Sequence, residues 1–94
     1  KKSIHISPKN IDFLLKTAVL EMKINKYILA EERLLKIIKL YPNSKQAHFN
    51  LGSLYLNQNN FEESQKYFNK AKKLDPDYKL AIRNLEYLKS INEK

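Results

Sequence analysis

Apolar residues recur at three- and four-residue steps through most of the chain, the spacing of helices that bury one face. The clearest stretch places Ala47, His48, Leu51, Gly52 and Tyr55 on one helical face, followed by the polar break "NQNN" at 57–60. Phe61, Ser64, Phe68, Ala71 and Leu74 repeat the spacing on a second helix, which Pro76 ends, because proline lacks an amide donor and pushes the residue before it out of helical geometry. Upstream, Tyr27, Ala30, Leu34, Ile37 and Leu40 lead in the same way to Pro42. The two helix-ending phrases, "LYPNSKQA" at 40–47 and "LDPDYKLA" at 74–81, stand 34 residues apart. Periodicity and prolines together predict five helices, near 8–24, 27–41, 44–58, 61–74 and 77–92.

A 34-residue period is a sign of helix–turn–helix arrays. In register, the chain divides into a leader and helix start at 1–10, a first unit at 11–44, a second at 45–78 and a half unit at 79–94. The half unit begins as another first helix, with Ala81, Ile82 and Leu85 in register, but Glu86 stands where Gly52 stood. A charge there suits a terminal helix facing water, the capping element that an array needs. Asp77 is the expected N-cap of this last helix, "NSKQ" at 43–46 has capping-box spacing, and Ser7 is expected to cap the first helix with Pro8 in its first turn. Residues 1–6 read as an extended or disordered leader.

Small residues mark where helices cross. Gly52 within a helical run costs about 1 kcal/mol relative to alanine, which implies a close neighbour. Ala18 holds the corresponding place in the first unit, and Ala30, Ser64 and Ala71 leave room for Leu34, Tyr55 and Phe68. Thr17 and Glu21, by contrast, occupy positions that are apolar in the better-formed unit.

The stretch "AHFNLGSLYLNQNNFEESQKYFNKAKKLDP" resembles the tetratricopeptide repeat: Leu51, Gly52, Tyr55, Phe61, Ser64, Phe68, Ala71 and Pro76 stand at that family's signature spacings. His48 replaces its frequent tryptophan, and Asn59 its frequent turn glycine. The resemblance implies an all-α, right-handed helical repeat array, an α-solenoid of two such units plus a C-terminal capping helix. It also implies a concave face made by the first helix of each unit. Carried over place by place, that face takes Asp12, Leu15, Val19, Met22 and Lys23, then Gln46, Phe49, Asn50, Ser53, Leu56 and Asn57, then Leu80, Arg83, Asn84 and Tyr87. Some members grip the C-terminal carboxylate of chaperones with a clamp of Lys, Asn and Arg. Here only Asn50 matches, Leu15, Val19, Leu80 and Asn84 filling the other clamp places, which argues against a chaperone-tail adaptor.

Composition narrows the chemistry. With one Gly, three Pro, no Trp and no Cys in 94 residues, the chain has few helix breakers and neither a disulfide framework nor a thiolate metal site. His5 and His48 lie in different elements without a carboxylate at ligand spacing, so His48 is expected to fill an aromatic slot rather than hold a metal. There is no phosphate loop, nucleophile elbow or paired buried carboxylates; the chain reads as a non-enzyme without cofactors. The formal charge of +8 comes from Lys in sixteen of eighteen cases, spread from Lys1 to Lys94 with one tight cluster, "KAKK" at 70–73. Lysine spread so evenly reads as a solvated surface and makes nucleic acid a disfavoured partner. No apolar run reaches the roughly 20 residues that span a bilayer. The first residue is Lys1, so a removed signal peptide or anchor is compatible with the chain, the compartment is open, and membrane contact is expected only through such an anchor or the basic surface.

These readings converge on a protein-interaction module or scaffold that takes a peptide or helix in a mostly apolar groove. Three alternatives stand beside it: Leu15, Val19, Phe49 and Leu80 merely packing on one another, self-association into a homo-oligomer, and a basic surface that binds anionic lipid or nucleic acid. In the groove reading, Phe49→Ala and Tyr87→Ala weaken binding of the partner, whereas charge reversal at Lys70, Lys72 and Lys73 does not.

Overall fold

The computed structural model describes residues 8–92. Five helices follow one another: α1 (Pro8–Lys23), α2 (Tyr27–Leu40), α3 (Lys45–Asn57), α4 (Phe61–Leu74) and α5 (Lys79–Asn92). Among the described residues there is no strand, and the molecule is elongated, 55 × 29 × 17 Å. Each helix packs on the next, and α1 also touches α3, the layout of stacked helical hairpins closed by a single last helix. Ser7 and the leader lie outside the described residues, while Pro8 is the first residue of α1.

The turns repeat with the sequence. Asn25 and Asn59, one period apart, both adopt left-handed backbone, with φ of 65° and 62°. In each turn the asparagine N–H and the next N–H fold back on the preceding helix, Asn25 to Met22 and Lys26 to Glu21, then Asn59 to Leu56 and Asn60 to Tyr55. Asparagine tolerates this conformation better than most residues, so it closes both α1 and α3 without glycine. At the other ends, the N–H groups of Tyr41 and Asp75 close α2 and α4 onto Ile37 and Ala71 before Pro42 and Pro76 stop them.

Two caps differ from expectation. Ser44, not Asn43, caps α3: its hydroxyl accepts from the Ala47 N–H at 3.2 Å, which leaves Gln46 too early to complete a capping box. Asp77 does not cap α5. The Tyr78 carbonyl accepts the first bond, from Ile82, and Asp77 sits in the turn with its N–H donating to the Asp75 carboxylate at 3.2 Å. Asp75 also pairs with Lys45 at the start of α3, which depresses its carboxyl below the ordinary aspartate range and raises Lys45. The turn after α4 is therefore tied to the first residue of α3, at the other end of the same hairpin.

The core is a continuous seam of small and large side chains. Ala18, Ala30, Leu34, Ile37, Ala47, Leu51 and Leu54 are buried across α1, α2 and α3, and Ser64, Phe68, Ala71, Ala81 and Leu88 across α4 and α5. Where α3 and α4 cross, the Ser64 hydroxyl donates to the Gly52 carbonyl at 2.8 Å and the Phe68 ring lies against the glycine. His48 fills its aromatic slot, buried, stacked on Tyr67 at 6.0 Å, with Nε2 at 2.9 Å from the Pro42 carbonyl. Glu86 is exposed, as suits a capping helix.

The polar residues of α1 have local explanations. Thr17 donates its hydroxyl to the Phe13 carbonyl at 2.9 Å. Glu21 accepts from Arg33 of α2 in two parallel bonds, 3.0 and 2.9 Å. One period on, the same two places hold Tyr55 and Tyr67, ring centroids 5.7 Å apart, so an ion pair and an aromatic pair occupy equivalent places in successive hairpins. Tyr55 donates to Glu31 at 2.6 Å, and burial, with that carboxylate, pushes its phenol well above the ordinary value.

The Glu21–Arg33 pair supports a pH prediction. The hydrogen bonds from Arg33 hold the Glu21 carboxyl below the ordinary glutamate range. A depressed folded-state pKa stabilises the fold above the unfolded value, and that contribution is lost as pH falls through the folded one. Glu21→Gln is expected to lower stability near neutrality by about 1 kcal/mol or less, since the pair is partly exposed. Urea denaturation at about pH 7 and about pH 2 should show the two proteins converging in acid.

Candidate peptide-binding cleft

A cleft of about 480 Å³ opens between α1, α3 and the start of α5. Its lining comes from three places: Leu15, Val19 and Leu20 with Asp12, Lys16 and Lys23 on α1; Gln46, Phe49 and Asn50 on α3; and Tyr78 and Leu80 at the start of α5. These side chains converge because α1 touches α3 across the first hairpin while α4 carries α5 back to the same side. Leu15 is nearly buried at the floor, Val19, Phe49 and Asn50 are half-buried, and Leu80 is exposed at one lip.

Phe49 is both lining and support. Its ring meets Phe68 of the core at 5.4 Å and Tyr78 at 5.6 Å, the latter edge-on, and the Lys45 ammonium lies 5.0 Å from the Tyr78 ring. Burial, partly opposed by Lys45, raises the Tyr78 phenol above its usual value, which keeps it neutral. The cleft is thus an apolar floor on aromatic supports, rimmed by Lys16 and Lys23 against one acid, Asp12, itself 3.6 Å from Lys16. Among the described residues no group of three His, Cys, Asp or Glu is placed to hold a metal.

Of the residues expected along the groove, Leu15, Val19, Phe49, Asn50 and Leu80 are brought together here, with Asp12, Lys23 and Gln46 beside them. Met22 is not: it is buried in the core with Ala18 and Ala30, because three residues beyond Val19 it sits about 60° around the helix, on the side that closes against α2. Ser53, Leu56, Arg83, Asn84 and Tyr87 lie on later turns of α3 and α5 and do not line the cleft. Asn84 spends its amide on its own helix, donating to the Leu80 carbonyl at 2.7 Å. Tyr78, Lys16 and Leu20 were missed; Tyr78 belongs to a turn, where helical periodicity carries no signal.

Comparison with known proteins agrees with this architecture. Tetratricopeptide repeat family models match residues 12–44 and 45–78, and the chain belongs to the tetratricopeptide repeat family. Repeats of this family in general mediate protein–protein interaction and are typically non-catalytic. The chain is similar to a segment of Protein O-mannosyl-transferase Tmtc3 of Drosophila melanogaster, 30% identical over 59 residues, which are 63% of this chain and 6% of that protein. It is also similar to Tetratricopeptide repeat protein 6 of Homo sapiens, 33% identical over 57 residues, 61% of this chain and 11% of that protein. The matched region is therefore a small fraction of each relative. No helix among the described residues is long and apolar enough to cross a membrane.

Proposed function

We propose that this chain is a non-enzymatic interaction module whose cleft between α1, α3 and α5 binds a peptide or helix of a protein partner through apolar anchors. The observation that carries the reading is an open apolar cleft, lined by Leu15, Val19, Phe49 and Leu80 and rimmed by Lys16 and Lys23. A cleft of a few hundred Å³ takes one or two large side chains. Lys16 and Lys23 at the rim favour a segment with acids next to its anchors.

Selection of random peptides on the intact chain, followed by fluorescence anisotropy, tests the reading. Selected peptides are expected to share apolar anchors, and Val19→Ala and Leu80→Ala each to weaken binding by more than about 1 kcal/mol. These two are cleaner probes than Phe49→Ala, since Phe49 also packs on Phe68 and Tyr78. Tyr87 is exposed and lies two turns beyond Leu80, so Tyr87→Ala is expected to matter little for a ligand seated in the cleft. Charge reversal of Lys70, Lys72 and Lys73 should leave binding unchanged. Loss of binding on that reversal, with Val19→Ala and Leu80→Ala neutral, would move the functional surface to the basic outer face.

A further inference from the structure

We infer that the outer face of α1 is a second interaction surface, which meets the cleft along Leu20, and that its occupant is α1 of a second copy of this chain in antiparallel contact. The first observation is internal. Ala47 and Ala81, one and two periods after Phe13, are fully buried, as are Leu54 and Leu88, which correspond to Leu20. In α3 and α5 these positions are covered by the preceding helix, α2 or α4. In α1 they are bare: Phe13 is 70% exposed, Leu20 61% and the adjacent Ile24 60%. The excess is peculiar to the first hairpin, for α2 also exposes Ile28 and Leu35 where α4 carries Glu62 and Asn69. Several large apolar side chains left in water on one short segment is the signature of a covered surface.

The kind of occupant follows from the spacing. Phe13, Thr17, Leu20 and Ile24 step by four, three and four, the narrow stripe of a two-helix seam. Phe13 stands where the other two helices have alanine, so a helix stacked as α2 stacks on α3 has no room for its close approach. An antiparallel second α1 does fit. It sets Phe13 opposite the partner's Ile24 and small Thr17 opposite the partner's Leu20, large beside small at the centre, and the two-fold relation makes both halves equivalent. The Thr17 hydroxyl is already satisfied by the Phe13 carbonyl, and Glu21 beside the seam is already held by Arg33, so neither polar group opposes burial as an unpaired group would. Lys16 and Lys23 flank the stripe and repel their counterparts, so association strengthens as salt screens them.

A contact of one short helix pair is below the size of tight interfaces, so the dimer is expected to form between ~10 µM and ~1 mM. Sedimentation of the intact chain across that range should show the mass rising from 11.2 kDa towards twice that value, more readily at high salt. Phe13→Ser and Ile24→Glu, both at exposed positions, should abolish the rise at unchanged helix content, while the cleft variant Leu80→Ala should not. Because the chain has no cysteine, register is testable directly: Thr17→Cys should cross-link to itself on mild oxidation, and Phe13→Cys, far from the two-fold axis, should not. A mass that stays at one chain throughout, a dimer unaffected by Ile24→Glu, or equal cross-linking at both positions would overturn the inference. Ile24→Glu and Leu80→Ala tell the two surfaces apart, since Ile24 does not line the cleft and Leu80 is not part of the stripe: the first should change the mass alone and the second peptide binding alone.

Discussion

Phe68→Ala is expected to remove about 3 to 5 kcal/mol of stability. The ring is fully buried between α3 and α4, lies against Gly52 and meets Phe49 at 5.4 Å, so truncation forfeits its transfer free energy and leaves a cavity at the α3–α4 crossing. Small domains have only about 5 to 15 kcal/mol in total. The variant should therefore sit near the edge of folding at room temperature. Urea denaturation should show the loss as a lower midpoint with little change in slope. Lys72→Ala, one turn further along α4 and exposed, should stay within about 0.5 kcal/mol of the parent, and a neutral Phe68→Ala would mean that the ring does not carry the α3–α4 contact.

Phe68 was legible in the sequence because what positions it is local. Its place follows from a three- and four-residue stripe running from Phe61 to Leu74, a polar break before it and a proline after it. The same locality made the five helices and the asparagine turn at Asn59 readable. At two of the places where sequence reasoning missed, the deciding group is distant along the chain. Tyr78 rather than Asp77 accepts the first bond of α5, after a turn where the carboxylate of Asp75 is engaged by Lys45, 30 residues back at the start of α3. Glu21 looked like a flaw in α1 because its partner Arg33 lies across the turn on α2.

The cleft was half legible for a related reason. Transferring positions from the family resemblance identifies a helix face but not its edges, and Met22 lies just past one edge, in the core. Nor does it identify residues between helices, which is where Tyr78 enters. The exposed stripe on α1 is invisible to amphipathic patterning, which marks Phe13, Leu20 and Ile24 as apolar without saying that their places, unlike Ala47 and Leu54, are uncovered.

Gly52 is expected to be the position least tolerant of added volume. A Cβ built there would come within 2.6 and 2.7 Å of two Phe68 ring carbons and 3.0 Å of a third. The ring cannot retreat, because Phe68 is itself fully buried, and α4 is tied to the glycine carbonyl through the Ser64 hydroxyl. Two effects oppose each other in Gly52→Ala. Helix propensity favours alanine by about 1 kcal/mol, while overpacking a tight contact costs about 1 to 3 kcal/mol. Packing is expected to win, giving a net loss of up to about 2 kcal/mol for a substitution that stabilises most helix interiors. Gly52→Leu, which must drive a whole side chain into the same space, should lose more than about 3 kcal/mol or fail to fold. A double-mutant cycle identifies the cause: with Phe68→Leu in the background, Gly52→Ala should recover at least about 0.5 kcal/mol of its loss, since the clashing ring is gone. If Gly52→Ala stabilises the chain, or if its effect is the same in both backgrounds, helix propensity and not the crossing governs this position.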